Sequence, residues 1–171
     1  MPCNGGYSTE FNLSSNSLLV DSWWRSEKCR PLIPTFLRRF KEKTAMNIFV
    51  LDSHPVTAAQ MQCDKHVVKM CTESAQMLAS ALHRYGIDEA LLPLTKAGTP
   101  YKSTHSHHPC TRWTGDTSTN FDWLCMHGLA LCHEYYFRYR KIHACQKPID
   151  EMRRANLAHE VLPIGDQTPF S

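Results

Sequence analysis

The run Val67-Val68-Lys69-Met70-Cys71-Thr72-Glu73-Ser74-Ala75-Gln76-Met77-Leu78-Ala79-Ser80-Ala81 decides the fold class. Its apolar and small residues Val67, Met70, Cys71, Ser74, Met77, Leu78 and Ala81 recur at steps of three and four, the period of a helix that buries one face. Upstream, Ser53-His54-Pro55 is a start signal, because proline suits the first helical position. Downstream, Gly86 is a stop, because glycine takes the left-handed conformation that ends many helices. One long helix is therefore expected from about Val56 to Tyr85. A second is expected from about Asn120 to His143, capped by Thr117 or Ser118, with Phe121, Leu124, Cys125, Leu131, Cys132, Tyr135 and Tyr139 turned inward. Between them, Pro93 to His108 reads as a loop, and His108-Pro109 opens a short helix that runs through Trp113 and breaks at Gly115-Asp116. Asp150 to Ala158 is a weaker third helix. Asn47-Ile48-Phe49-Val50-Leu51 is either a strand or an extended lead-in. The expected class is all-α: a compact helical domain built on two long helices with a histidine-rich connecting loop.

A chain of 171 residues points to one domain. Its longest apolar runs are far too short to span a bilayer, so no membrane partner is expected. The net charge of +3 conceals a split: residues 1–45 hold 7 basic and 4 acidic side chains, and residues 46–171 hold 12 of each. A bulk-charge argument for nucleic-acid binding thus rests on residues 1–45 alone. Those residues are expected to be a poorly structured extension. Either Met46 is the native start and 1–45 is translated upstream sequence, or 1–45 is a basic arm. Residues 46–171 form the helical domain, which stops at Ser171 without a terminating element. No secretory signal is visible, so a cytoplasmic location with the eight cysteines reduced is the expectation. They show no C-x-x-C pair. Cys125 and Cys132, seven apart, share a helix face and read as small core residues.

Polar side chains form a second stripe on each long helix. On the first these are Gln62, His66, Lys69, Glu73, Gln76 and Ser80; on the second, Asn120, Trp123, His127, Glu134 and Arg138. Lys69 with Glu73, and Glu134 with Arg138, stand at ion-pair spacing. If the stripes face each other across one cleft, they gather carboxylates, imidazoles, a lysine and an arginine into a site able to do acid–base chemistry. The loop His105-Ser106-His107-His108-Pro109-Cys110-Thr111-Arg112-Trp113 has three readings. His105, His107, His108 and Cys110 are zinc-ligand types that Cys63 and His66 could complete, but no recognised ligand spacing appears, so no metal and no cofactor is expected. Thr104, His105 and Arg112 suit phosphate contacts. His108 also suits a helix cap, with Trp113 packed in the core.

Several pieces resemble a family of small proteins common in tailed bacteriophages. They are Met46-Asn47-Ile48-Phe49-Val50-Leu51-Asp52, the run Cys63 to Met70 with Glu73 to Leu78, the His105–Cys110 loop with Trp113, then Asn120, Trp123-Leu124, Glu134-Tyr135, Arg138 and Thr168-Pro169-Phe170. More distantly, the order of short apolar opening, glutamate-bearing helix, Tyr101 to Trp113 loop and Tyr- and Glu-bearing helix is similar to the pyrimidine-dimer DNA glycosylases of the endonuclease V type. That resemblance implies a compact all-α enzyme that cuts the glycosidic bond of a damaged pyrimidine and then the strand. It implies Glu73 as the catalytic carboxylate. It also implies attack by the amine of the residue after the initiator methionine, which here is the large Asn47; Lys65 or Lys69 is the substitute amine.

The resulting expectation is a phage-encoded enzyme acting on DNA bases or nucleotides, glycosylase/lyase-like, in the cytoplasm of an infected bacterial host. Glu73, His66 and Lys69 are the catalytic candidates. His105, His108, Arg112, Trp113, Asn120, Trp123, Glu134 and Arg138 are the substrate-binding candidates, and DNA or a nucleotide is the partner. The alternatives are a non-enzymatic phage factor that binds a host protein or a nucleotide, and a zinc-stabilised structural module.

Overall fold

The computed structural model describes residues 46–155 and 157–170; the extension expected over 1–45 lies outside the described residues. Six α-helices follow an extended lead-in: α1 Pro55–Gln60, α2 Asp64–Arg84, α3 Pro109–Thr114, α4 Ser118–Tyr139, α5 Gln146–Arg154 and α6 Leu157–Val161, with a single 3₁₀ turn at Glu89–Leu91. No strand occurs among the described residues, and residues 46–50 are an extended lead-in rather than a strand. The all-α class is thus the observed one.

The long helices α2 and α4 pack against each other at the centre, α1 lies on α4, and α5 crosses both. The core is built from most of the predicted faces, although at the end of α4 Tyr139, expected inward, is exposed and Tyr135 is half-buried. Val67, Met70, Cys71, Met77, Leu78 and Ala81 of α2, and Phe121, Leu124, Cys125, Leu131 and Cys132 of α4, are all buried. The closest approach is at Gly128. A β-carbon there would stand 3.1 Å from both Ser74 Cβ and Ile149 Cδ1, so glycine is what lets α2, α4 and α5 meet. Since Ser74 follows Glu73, this contact also fixes the height of Glu73.

The expected Val56–Tyr85 helix is two helices. The chain breaks at Met61 to Cys63, where Cys63 is extended at φ −72° and ψ 160°, although no glycine or proline stands there. The reason is tertiary. Arg138 on α4 donates to the freed carbonyls of Gln60 (3.2 Å) and Gln62 (2.8 Å), and the Gln62 side chain turns inward to His127 Nε2 at 3.1 Å. The second long helix ends at Tyr139, four residues early, because Arg140 adopts the left-handed conformation at φ 54°. The predicted third helix spans α5 and α6. Gly86, at φ 78°, closes α2 as expected. The last segment docks back on α4: Ser118 N–H donates to Pro163 O (2.9 Å), and Asn120 exchanges hydrogen bonds with Thr168 through both ends of its amide.

Candidate active site

Glu73 sits at the middle of α2, on the polar stripe and under the lead-in. Its side chain is only 8% exposed, and Lys69 Nζ lies 2.9 Å from Oε1. The backbone N–H of Asn47 donates to Oε2 at 3.0 Å. One carboxylate therefore holds an amine on one oxygen and the nitrogen of residue 47 on the other. Burying a charged carboxylate is costly unless it is paired, and these two donors meet that requirement.

The lead-in runs along α2 in the opposite sense. Phe49 stacks on the His66 ring, with centroids 4.3 Å apart and planes 9° from parallel, and its carbonyl accepts from Gln62 Nε2 at 3.4 Å. His66 is seven residues before Glu73, about 10 Å along a helix axis, so the lead-in spans both. Met46 is buried, and its sulfur accepts from the Thr111 hydroxyl at 3.9 Å. Met46 thus bridges the Glu73 site and the α3 end of the histidine loop.

That loop is pinned to α2. The Ser80 hydroxyl accepts Thr104 N–H at 2.9 Å, and His83 Nε2 stands 2.8 Å from Tyr101 O. His105 takes a left-handed turn at φ 51° and its carbonyl accepts His108 N–H at 2.9 Å. His108 Nδ1 caps α3 by accepting Cys110 N–H at 3.3 Å. Between loop and helix lies an open cleft of about 520 Å³, lined by Ser80, His83, Arg84, Ser106, His107 and Arg112 among others. Arg84 Nη1 is already paired with Asp116 at 3.1 Å, so Arg112 with the His83 and His107 imidazoles are the groups on the lining that suit an anion. Arg112 was singled out by the sequence, and His107 only as a zinc-ligand type; His83 and Arg84 were not. Thr111 lines the same cleft and touches Met46, which connects the cleft to the Glu73 neighbourhood. The sequence signal for Arg84 and His83 was their place on the Glu73, Gln76, Ser80 side of α2, hidden at the end of the helix, where basic residues are common for dipole reasons.

The two polar stripes do not face each other across one pocket. They touch at Gln62–His127 and through Arg138, at the α1–α2 corner. Arg138 donates to Glu134 through Nε and Nη2 (3.1 and 3.0 Å) and to Asp64 through Nη1 (3.0 Å). Asp64 precedes Glu73 by nine residues, about 13 Å of helix. The other α4 candidates are engaged internally. Asn120 is fully buried and donates to Trp113 O and Thr168 Oγ1. Trp113 and Trp123 meet edge to face at 5.9 Å, both against Phe170, and their indole N–H groups donate to Thr168 O and Ser53 O. Among the described residues no hydrogen bond joins Glu73 to Asn120, Trp123, Glu134 or Arg138. Burial pushes the His127 imidazole down to about 4, so it is neutral at pH 7. The zinc-type residues of the loop likewise form no cluster; His105, His107, His108 and Cys110 do not converge.

The family model described as pyrimidine dimer DNA glycosylase matches residues 46–147, from the lead-in to the first turn of α5. No curated protein and no solved structure matches the chain.

Proposed function

The chain belongs to the pyrimidine dimer DNA glycosylase family, and from that premise we propose that it is a phage-encoded DNA glycosylase/lyase whose catalytic carboxylate is Glu73. The observation that carries this reading is the pairing of Glu73 with two nitrogens, Lys69 Nζ and Asn47 N, one on each oxygen. In the chain as written, Lys69 supplies the free amine. Glu73 takes a proton from Nζ. The amine bonds to C1′ of the sugar as the glycosidic bond breaks, and the glycosidic electron pair leaves with the base, which takes up the proton now on the Glu73 carboxyl. The carboxylate so regenerated steadies the positive charge of the C1′ iminium. His66, held flat against Phe49, flanks this step as a second proton-transfer group. His105, His108 and Arg112, with Arg84 beside them, meet the phosphate backbone at the loop and cleft. Trp113, Asn120, Trp123, Glu134 and Arg138 support the site by holding the scaffold.

A second version is favoured by the Asn47 contact. A chain that begins at Asn47 would present its own α-amine to Glu73 Oε2 in place of the amide, and would vacate the space of Met46 toward the basic cleft. In that version residues 47–171 are the catalytic domain, and Met46 and the preceding extension 1–45 are absent from the active form.

The test is base release and strand cleavage on DNA carrying pyrimidine dimers, abasic sites or modified pyrimidines. Glu73→Gln should abolish both while the fold persists. Equal activity in that variant, or no activity of the unaltered protein on any of these substrates, overturns the proposal.

A further inference from the structure

We infer that Cys71, Cys132 and His143, with Cys145 as fourth ligand, form a structural zinc site that ties α2, α4 and the turn after α4 together. The ligand atoms of Cys71, Cys132 and His143 all lie within 4.8 Å of one another. They come from three separate parts of the chain, and both thiols are buried. Zinc bonds sulfur at about 2.3 Å and imidazole nitrogen at about 2.0 Å, which sets neighbouring ligand atoms of a tetrahedral site about 3.5–3.8 Å apart. The observed spacing is therefore reached by side-chain shifts below about 1 Å.

Cys145 lies at the edge of this group. Its sulfur is 3.8 Å from Thr72 Oγ1, next to Cys71, and 3.6 Å from the Tyr101 hydroxyl. Turning its side chain toward the other three would complete a Cys₃His set. The surroundings are those of a closed site. The Tyr101 hydroxyl is placed to donate to a thiolate, and the Tyr135 ring packs edge-on against the His143 imidazole at 4.9 Å; the Cys145 N–H now donates to His143 Nδ1 at 3.2 Å, a bond that zinc on that nitrogen would replace. Such outer partners orient metal ligands. Soft thiolates with one imidazole in a tetrahedral, water-poor setting select zinc over hard cations. Cys71 is two residues before Glu73, so the metal would anchor the catalytic stretch of α2. The site is independent of the reaction assigned to Glu73.

The experiment is metal analysis of the full-length protein, followed by exchange of the metal for cobalt(II). The expected result is one zinc per chain, a thiolate-to-cobalt charge-transfer band with intense tetrahedral d–d absorption, and a lower Tm on chelation. Cys132→Ser and His143→Ala should each lose the metal and the band, and Cys125→Ala, a buried thiol outside the group, should keep both. If Cys132→Ser fails to fold, the cobalt spectrum of the unaltered protein and the exposed-side variant His143→Ala still decide. The inference is overturned by metal-free protein whose Tm zinc does not raise, by a Cys71–Cys132 disulfide in the protein as purified, or by zinc that survives both variants.

Discussion

Asn47 N–H meets Glu73 Oε2 at 3.0 Å, across twenty-six residues of sequence. That contact joins the start of the family-matched region to the centre of the α2 polar stripe, and it makes Glu73 a structural acceptor as well as the carboxylate of the proposed mechanism. The two roles separate by substitution. Glu73→Gln keeps an oxygen for Asn47 and loses mainly the ion pair with half-exposed Lys69, worth about 1 kcal/mol or less. Glu73→Ala leaves the Asn47 N–H without its acceptor and should cost about 1–3 kcal/mol. Chemical denaturation should show Gln near the unaltered stability and Ala clearly below it, with activity lost in both by on the order of 100-fold or more.

His127 sets an acid limb of stability. Its pKa falls from 6.5 to about 4 because it is buried, so the unfolded chain takes up a proton at a pH where the folded chain does not. The stabilisation is complete above about 6.5, declines as pH falls, and is spent below about 4, a drop on the order of 3 kcal/mol at most. Measured between pH 7 and pH 4, His127→Gln should show a shallower fall in Tm than the unaltered protein. Parallel curves would contradict this.

Arg138 holds a corner. Its guanidinium serves Glu134, Asp64 and the carbonyls of Gln60 and Gln62, and among the described residues no other cation is on those carbonyls. Arg138→Ala should destabilise the fold by about 2–3 kcal/mol and leave the turnover of the folded fraction within a few-fold. A large loss of turnover with unchanged stability would place Arg138 on the substrate instead.

Arg112 faces the cleft beside Arg84 and His107. Arg112→Ala should weaken DNA binding on every sequence alike and reduce the slope of log affinity against log salt by about 1. An unchanged slope would remove the cleft from the DNA path.

Helical period was enough to read the class, the inward face of α2 and that of α4 as far as Cys132, and glycine chemistry gave the stop at Gly86; period carried the α4 face too far, since Tyr139 is exposed. It did not reveal the break after Gln60, because the cause is an arginine from α4 rather than a residue in the segment. Nor could it show that the α4 stripe turns to the α1–α2 corner: a stripe states which residues share a face, not which neighbour that face meets. Glu73 and Lys69 were legible from spacing and resemblance. The Asn47 contact was hidden because the lead-in has no period to betray its direction. The Cys71, Cys132 and His143 group was equally hidden, since Cys71 is far along the chain from the other two and each fits a core or surface position when read singly.

The account turns on an amine and a carboxylate acting together at Glu73. Borohydride reduction during incubation with abasic or dimer-containing DNA measures this directly, with the cross-linked peptide identified by mass spectrometry. A covalent adduct on Lys69, or on Asn47 of a shortened chain, that disappears in Glu73→Gln is the predicted result. An adduct on any other residue, or one equally abundant without the Glu73 carboxylate, would contradict it.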